Sequence, residues 1–273
     1  MGKKIIEPSS GAVTGAKFKE IWEYRELLYF FVWREIKVRY KHTVIGVSWV
    51  VIQPVIAGLI FGVIFGKFVR LPSDGYPYLL FFFCAMIAWN LFANAALKAG
   101  EGLLINRNLV TKIYFPRILL PISIVLENTL DFFICCMVFL AMFFVFKIKI
   151  STHILYFPIF VFVLLILASG VGFWFSALNV RYRDVRYAIP FLIQVMFYSS
   201  PVVYSTTVIP EKWLFLYALN PVVGIIDGFR WAFLGKAATL HITFPASVLC
   251  ASLIFLSGLV YFYRTQKNIV DII

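Results

Sequence analysis

The chain has 273 residues, 62% of them hydrophobic and only 14% charged. Soluble globular domains carry about 25% charged residues, and apolar runs of about 20 residues recur here too often to hide in one core, which excludes a soluble domain and indicates an integral membrane protein. The net charge of +12 therefore speaks for membrane topology rather than nucleic acid; basic residues interleaved with exposed aromatics occur only beside the spans, and no nucleic-acid partner is expected.

In chain order, residues 1–20 are polar and basic with little periodicity, as in a loose cytoplasmic tail, and residues 1–28 lack the apolar core of a signal peptide. From Tyr29 the chain turns amphipathic. At 100° per residue, Tyr29, Val32, Trp33, Ile36 and Tyr40 share one face, with Arg34, Lys37 and Lys41 along one edge and Arg39 on the other. Such a helix suits the membrane interface, where aromatics sit at headgroup level and long cations reach phosphates; the pattern equally fits an ordinary basic helix ahead of a first span. Residues 1–47 thus form a tail and interfacial helix, and 48–273 a transmembrane domain.

The first span covers about 48–69, where Gly58, Gly62 and Gly66 form a doubled G-x-x-x-G ridge. Such a ridge lets another backbone approach closely, within the subunit or at a dimer interface. A turn at Pro72 and Asp74-Gly75 leads to the second span, about 78–97, which carries Asn90, Asn94 and then Lys98 on one stripe. Polar groups at this depth should face the bundle interior or a wet cavity. Gly100–Pro116 is too polar to span and fits a short amphipathic helix.

The third span, about 117–146, holds Glu127 and Asp131 four residues apart. Two carboxylates in hydrocarbon must be protonated, paired or near an interface; a proton relay and structural pairing to Arg or Asn of a neighbouring helix both remain open. The fourth span, about 154–178, has a small-residue seam at Ala168, Gly172 and Ser176, a charged turn follows at 179–187, and the fifth span takes about 188–204. In 205–242, Pro210, Pro221 and Gly235 cut out two apolar pieces, Glu211–Leu219 and Val222–Leu234, each too short to cross about 30 Å of hydrocarbon. They predict a re-entrant hairpin, with one kinked span from Trp213 to Leu234 as the alternative. The last span is about 244–263.

The expected fold is an all-α integral membrane protein: six transmembrane helices, an N-terminal interfacial amphipathic helix and a re-entrant helical hairpin before the last span. Six spans put 18 Lys and Arg on the side of both termini and seven on the other, so the positive-inside rule places both termini in the cytoplasm.

Catalytic chemistry is not evident. Cys84, Cys135, Cys136 and Cys250 lie in apolar runs without a C-x-x-C pair, and His42, His153 and His241 are far apart, so no metal site is expected. G-x-S-x-G and H-E-x-x-H are absent, and Gly62–Phe68 lacks the spacing of a phosphate loop. The chain should bind no ATP itself. Aromatics make up 19% of residues; sugar faces stack on such rings, and Trp89, Phe92, Phe197 and Tyr198 are the candidates for a glycan channel, although membrane spans are Phe-rich anyway.

Three ordered motifs carry a resemblance. Arg39-Tyr40, Thr43, Gly46, Trp49 and Pro54 match R-Y-x-x-T-x-x-G-x-x-W-x-x-x-x-P; Asn179–Asp184 matches N-x-x-x-R-D; and Asn220-Pro221 with Asp227, Arg230 and Gly235 matches the segment before a last span. The set resembles ABC-2 type permeases, above all the membrane subunits of exporters of O-antigen, capsule or teichoic acid chains. The resemblance implies a homodimer of six-span subunits in the cytoplasmic (inner) membrane, docked to two copies of a separate ABC ATPase that holds ATP and Mg, with an undecaprenyl-linked glycan as substrate and membrane lipid around it. By the same analogy, Gly100–Pro116 and Asn179–Tyr187 are coupling segments, with Arg107, Lys112, Arg181 and Asp184 contacting the ATPase. The hairpin at 205–242 would be an outer gate containing Asp227 and Arg230, close enough in sequence to pair. Arg34, Lys37 and Arg39 would meet the lipid diphosphate. The alternative from another class is a proton-coupled flippase or secondary transporter using Glu127 and Asp131; a membrane-embedded glycosyltransferase lacks the acidic loop its chemistry would want.

Overall fold

A computed structural model describes residues 21–41, 48–182 and 184–266. Residues 1–20, 42–47 (with His42, Thr43 and Gly46), Arg183 and residues 267–273 fall outside the described residues. The described residues are helical, without strands. Five helices, counting a helix with its adjoining π or 3-10 turn, are long and apolar enough to cross a membrane.

Helix α1 (Arg25–Tyr40) precedes α2 (Ser48–Phe61), which continues as a π-helical turn over Gly62–Phe68. Two glycines of the ridge approach the next helix, α3 (Tyr78–Ile105): a Cβ on Gly58 would lie 2.7 Å from Leu79 Cδ1, and one on Gly66 3.0 Å from Tyr78 Cβ. Gly62 has only one neighbour at 3.9 Å.

The 28 residues of α3 rise about 42 Å, and the helix runs eight residues beyond the expected end at 97, past Lys98 and Glu101. It is the axis of the bundle, packing against α5 (Leu119–Phe146) and α6 (Phe157–Arg181) with most of its side chains buried. The small-residue seam of α6 does meet it: a Cβ on Gly172 would lie 2.8 Å from Ala99 Cβ. Between α3 and α5, α4 (Arg107–Lys112) is a single short helix.

The fifth span differs from expectation. Helix α7 (Val185–Tyr198) stops after 14 residues, about 21 Å, and the chain then runs without regular helix through Pro201 to Ser205. Helices α8 (Glu211–Ala218) and α9 (Pro221–Leu234) are separate, so the single kinked span is excluded. The break is built locally: the Asn220 side chain accepts from the Val222 N–H at 3.1 Å, Pro221 opens α9, and Gly235 closes it at φ 73°, where a Cβ is disfavoured. Helix α9 is buried, while α8 exposes Trp213, Phe215 and Leu216. The last helix, α10 (Leu240–Thr265), crosses back against α6 and α9.

Contacts fix which ends lie together. At one end Phe31 of α1 packs edge-on against Phe115 at 5.4 Å within a cluster that includes Leu103, Phe173 and Phe262. At the other, Ser151 donates its N–H to Phe233 O at 3.0 Å and Lys236 donates to Asp74 O at 2.7 Å. The chain therefore makes six passages between two ends, the fifth through α7 and its unwound continuation. On α1 Phe31 is buried, with Leu27, Leu28 and the N-cap Tyr24 partly buried beside it, while Tyr29 and Trp33 of the expected face stay exposed. The helix lies on the bundle with its outer aromatics free for lipid.

Candidate functional site

Where the C-terminal end of α1 meets α5, five polar side chains converge. Arg39 Nε lies 2.9 Å from Glu127 Oε1, its Nη1 pairs with Asp131, and its Nη2 donates to Asn128 Oδ1 at 3.2 Å. The Tyr40 hydroxyl donates to Asp131 as well. Burial and this carboxylate push the Tyr40 phenol above its ordinary pKa, so it stays a donor. Lys98 of α3 adds a looser contact, 3.4 Å from Asn128 and 4.0 Å from Glu127. Of the two readings of the paired carboxylates, the geometry shows structural pairing: one guanidinium fork spans both, one helical turn apart on α5.

This network closes one end of a cavity of about 980 Å³ between α2, α3 and α5. Its walls are apolar, with Trp49, Ile56, Ile60 and Met86, but Gln53 of α2 and Asn90 and Asn94 of α3 face into it. The stripe expected to face a cavity does so.

At the opposite end, Asp227 of α9 is buried and accepts three hydroxyls, from Thr206 at 2.5 Å, Thr239 at 2.9 Å and Thr243 at 3.1 Å. Arg230 does not pair with it, contrary to the expectation from their spacing. Its guanidinium stacks 3.7 Å over the Phe81 ring and donates to the backbone carbonyls of Tyr204 at 3.2 Å and Val202 at 3.3 Å. The unwound segment after α7 has carbonyls without helical partners, and Arg230 satisfies two of them. The Tyr78 hydroxyl satisfies Val203 O at 2.6 Å, and Asn220 satisfies Ser199 O at 3.3 Å. Irregular backbone at membrane depth needs such donors. The three threonines were not singled out in the sequence; hydroxyls flanking a lone intramembrane carboxylate are the signal that could have found them.

The other expected residues separate into groups. Arg34 is held by Glu35 and by Asn106 Oδ1 at 2.7 Å, and Arg39 is committed to carboxylates, so of the three cations assigned to a diphosphate only Lys37 is exposed, its Nζ 5.3 Å from the Trp33 ring centre. Trp89 and Phe92 are core residues, 5% and 0% exposed, because they sit on the face of α3 turned into the bundle; Trp89 packs on Phe197 at 5.4 Å. Only Tyr198 of the aromatic set is open. Arg107 and Lys112 on α4 and Arg181 and Asp184 around the α6–α7 turn are exposed at the same end as α1. The two segments are tied together there by Arg186 to Glu101 at 3.4 Å and by Asn179 Nδ2 to Gly100 O at 2.8 Å. No three His, Cys, Asp or Glu among the described residues could hold a metal ion.

The ABC-2 type transporter family matches residues 26–234. An O-antigen export system permease protein RfbA of Klebsiella pneumoniae is 30% identical over 210 residues, covering 77% of this chain and 80% of the relative. The Myxococcus xanthus protein of the same name is 26% identical over 217 residues, 79% and 83% of the two chains. The inner membrane transport permease YadH of Escherichia coli (strain K12) is 34% identical over 70 residues, 26% and 27% of the two chains.

Proposed function

Since the chain belongs to the ABC-2 type transporter family, we propose that it is the membrane subunit of an ATP-driven exporter moving a lipid-linked, O-antigen-like polysaccharide across the cytoplasmic membrane. The observation that carries this reading is likeness to named O-antigen export permeases over about four-fifths of their length. Two copies of the chain would dock two copies of a separate ATPase that holds ATP and Mg, with both termini on the ATPase side.

The geometry supports the mechanical part. The segments with Arg107, Lys112, Arg181 and Asp184 are exposed at one end and cross-linked to each other. A charged knob bound more tightly in one nucleotide state of the ATPase would shift the bundle's equilibrium between conformations. At the other end, α8 and α9 would gate the exit. The proton-coupled alternative draws no support from Glu127 and Asp131, since a relay needs carboxylates that load and release protons freely and both are held by Arg39.

Gentle purification of the tagged chain from native membranes tests the reading. It predicts a partner in about equal amount that carries a phosphate loop and hydrolyses ATP; isolation as a lone oligomer whose transport follows a pH gradient would contradict it.

A further inference from the structure

The amides in the cavity stand apart from the hydrogen bonds that tie the described helices together. Gln53, Asn90 and Asn94 line it, and none of the three has a hydrogen-bonding partner among the described residues. Asn90, Asn94 and Lys98 recur every four residues on α3, a rise of about 6 Å per step. Gln53 and Asn94 are exposed and Asn90 is half-buried on the cavity wall; an amide left without a partner at membrane depth is costly, so a row of them calls for a polar occupant.

The lining also defines the chemistry of that occupant. Arg39 is saturated by Glu127, Asp131 and Asn128. The cavity therefore presents amide groups and the Lys98 amine rather than a cluster of free cations, which disfavours a bare phosphate. The facing wall on α2, with Ile56 and Ile60, is apolar, and Trp49 adds an aromatic plate. A group with hydroxyls on its edge and C–H bonds on its faces matches both surfaces.

We propose that Gln53, Asn90 and Asn94, with Lys98, form a row of hydroxyl-binding groups that contacts successive sugar units of the exported chain. This rests on the exporter reading and replaces the aromatic path expected from Trp89 and Phe92. Amides both donate and accept, so a row of them holds many sugars weakly. The row ends at Met86, beyond which α3 presents Phe82 and Phe83 to the core.

The test uses the full complex in cells that make the glycan. A photo-crosslinker replaces the native residue, Asn94→p-benzoylphenylalanine, with Leu253→p-benzoylphenylalanine on the exposed flank of α10 as control. After irradiation, position 94 should give an adduct recognised by antiserum to the glycan, at least tenfold above position 253; continued export with only phospholipid adducts at 94 overturns the proposal. Should the bulky probe disturb folding, Asn90→Leu with Asn94→Leu suits hydrocarbon. That pair should lower export at least tenfold with the ATPase still bound, and Asn90→Gln with Asn94→Gln should restore most of it. Equal export by the leucine pair overturns the row while leaving the exporter reading intact. Unchanged surface glycan after deletion of the whole chain would instead remove the exporter reading, and the row with it.

Discussion

Arg39 Nε lies 2.9 Å from Glu127 Oε1, joining the end of the interfacial helix to the middle of the third passage. The Glu127 side chain is 5% exposed and that of Arg39 20%. Removing one partner of such a pair leaves an uncompensated charge, a loss of about 3 kcal/mol. Arg39→Ala should therefore lower the unfolding midpoint in detergent by several degrees, and Arg39→Lys should recover little, since an ammonium cannot fork across Glu127 and Asp131. Arg39→Met combined with Glu127→Gln and Asp131→Asn should recover most of the stability. A midpoint unaffected by Arg39→Ala would sever the link.

Arg230 provides a second test. It serves the carbonyls of Val202 and Tyr204, each of which would be left without a donor at about 1–3 kcal/mol. Arg230→Met should destabilise the chain more than Asp227→Asn, which keeps one acceptor oxygen and turns the other position into an N–H donor that a rotated threonine hydroxyl can accept. The order of the two midpoints checks this; the reverse order would favour a direct Asp227–Arg230 pair.

Close approaches rank the glycines. A Cβ on Gly224 would lie 2.2 Å from the Thr243 carbonyl oxygen, a backbone atom that cannot swing away, whereas on Gly58 it meets the movable tip of Leu79. Gly224→Ala should cost about 2 kcal/mol or more and reduce the folded yield, while Gly58→Ala stays close to the parent.

At the coupling end, Asp184→Arg should leave ATP hydrolysis by the complex running while export falls. Measuring phosphate release and surface glycan on the same preparation checks it, and parallel loss of both would point to failed assembly instead.

Most of the spans were legible because a membrane helix is a long apolar run, and the hairpin because Pro221 and Gly235 cut its run short. Depth and facing were not. Lipid and protein interior are equally apolar, so hydropathy could not separate buried Trp89 from exposed Tyr198. Nor could it show that α3 continues past Lys98, since a helix leaving the hydrocarbon can turn polar without ending. Arg230 looked like a partner for Asp227 because its carbonyl partners exist only once the chain unwinds after Tyr198. The row at Asn90 and Asn94 was visible as a polar stripe; its emptiness of partners needed the fold.

The most direct test of the exporter reading is the location of the glycan in cells depleted of this chain and complemented with it, with the partner ATPase either active or inactivated at its phosphate loop. The account predicts that glycan reaches the surface only when both the chain and an active ATPase are present, and otherwise accumulates on its lipid carrier inside. Surface glycan that persists with the ATPase inactive and disappears when the proton gradient is collapsed would contradict it.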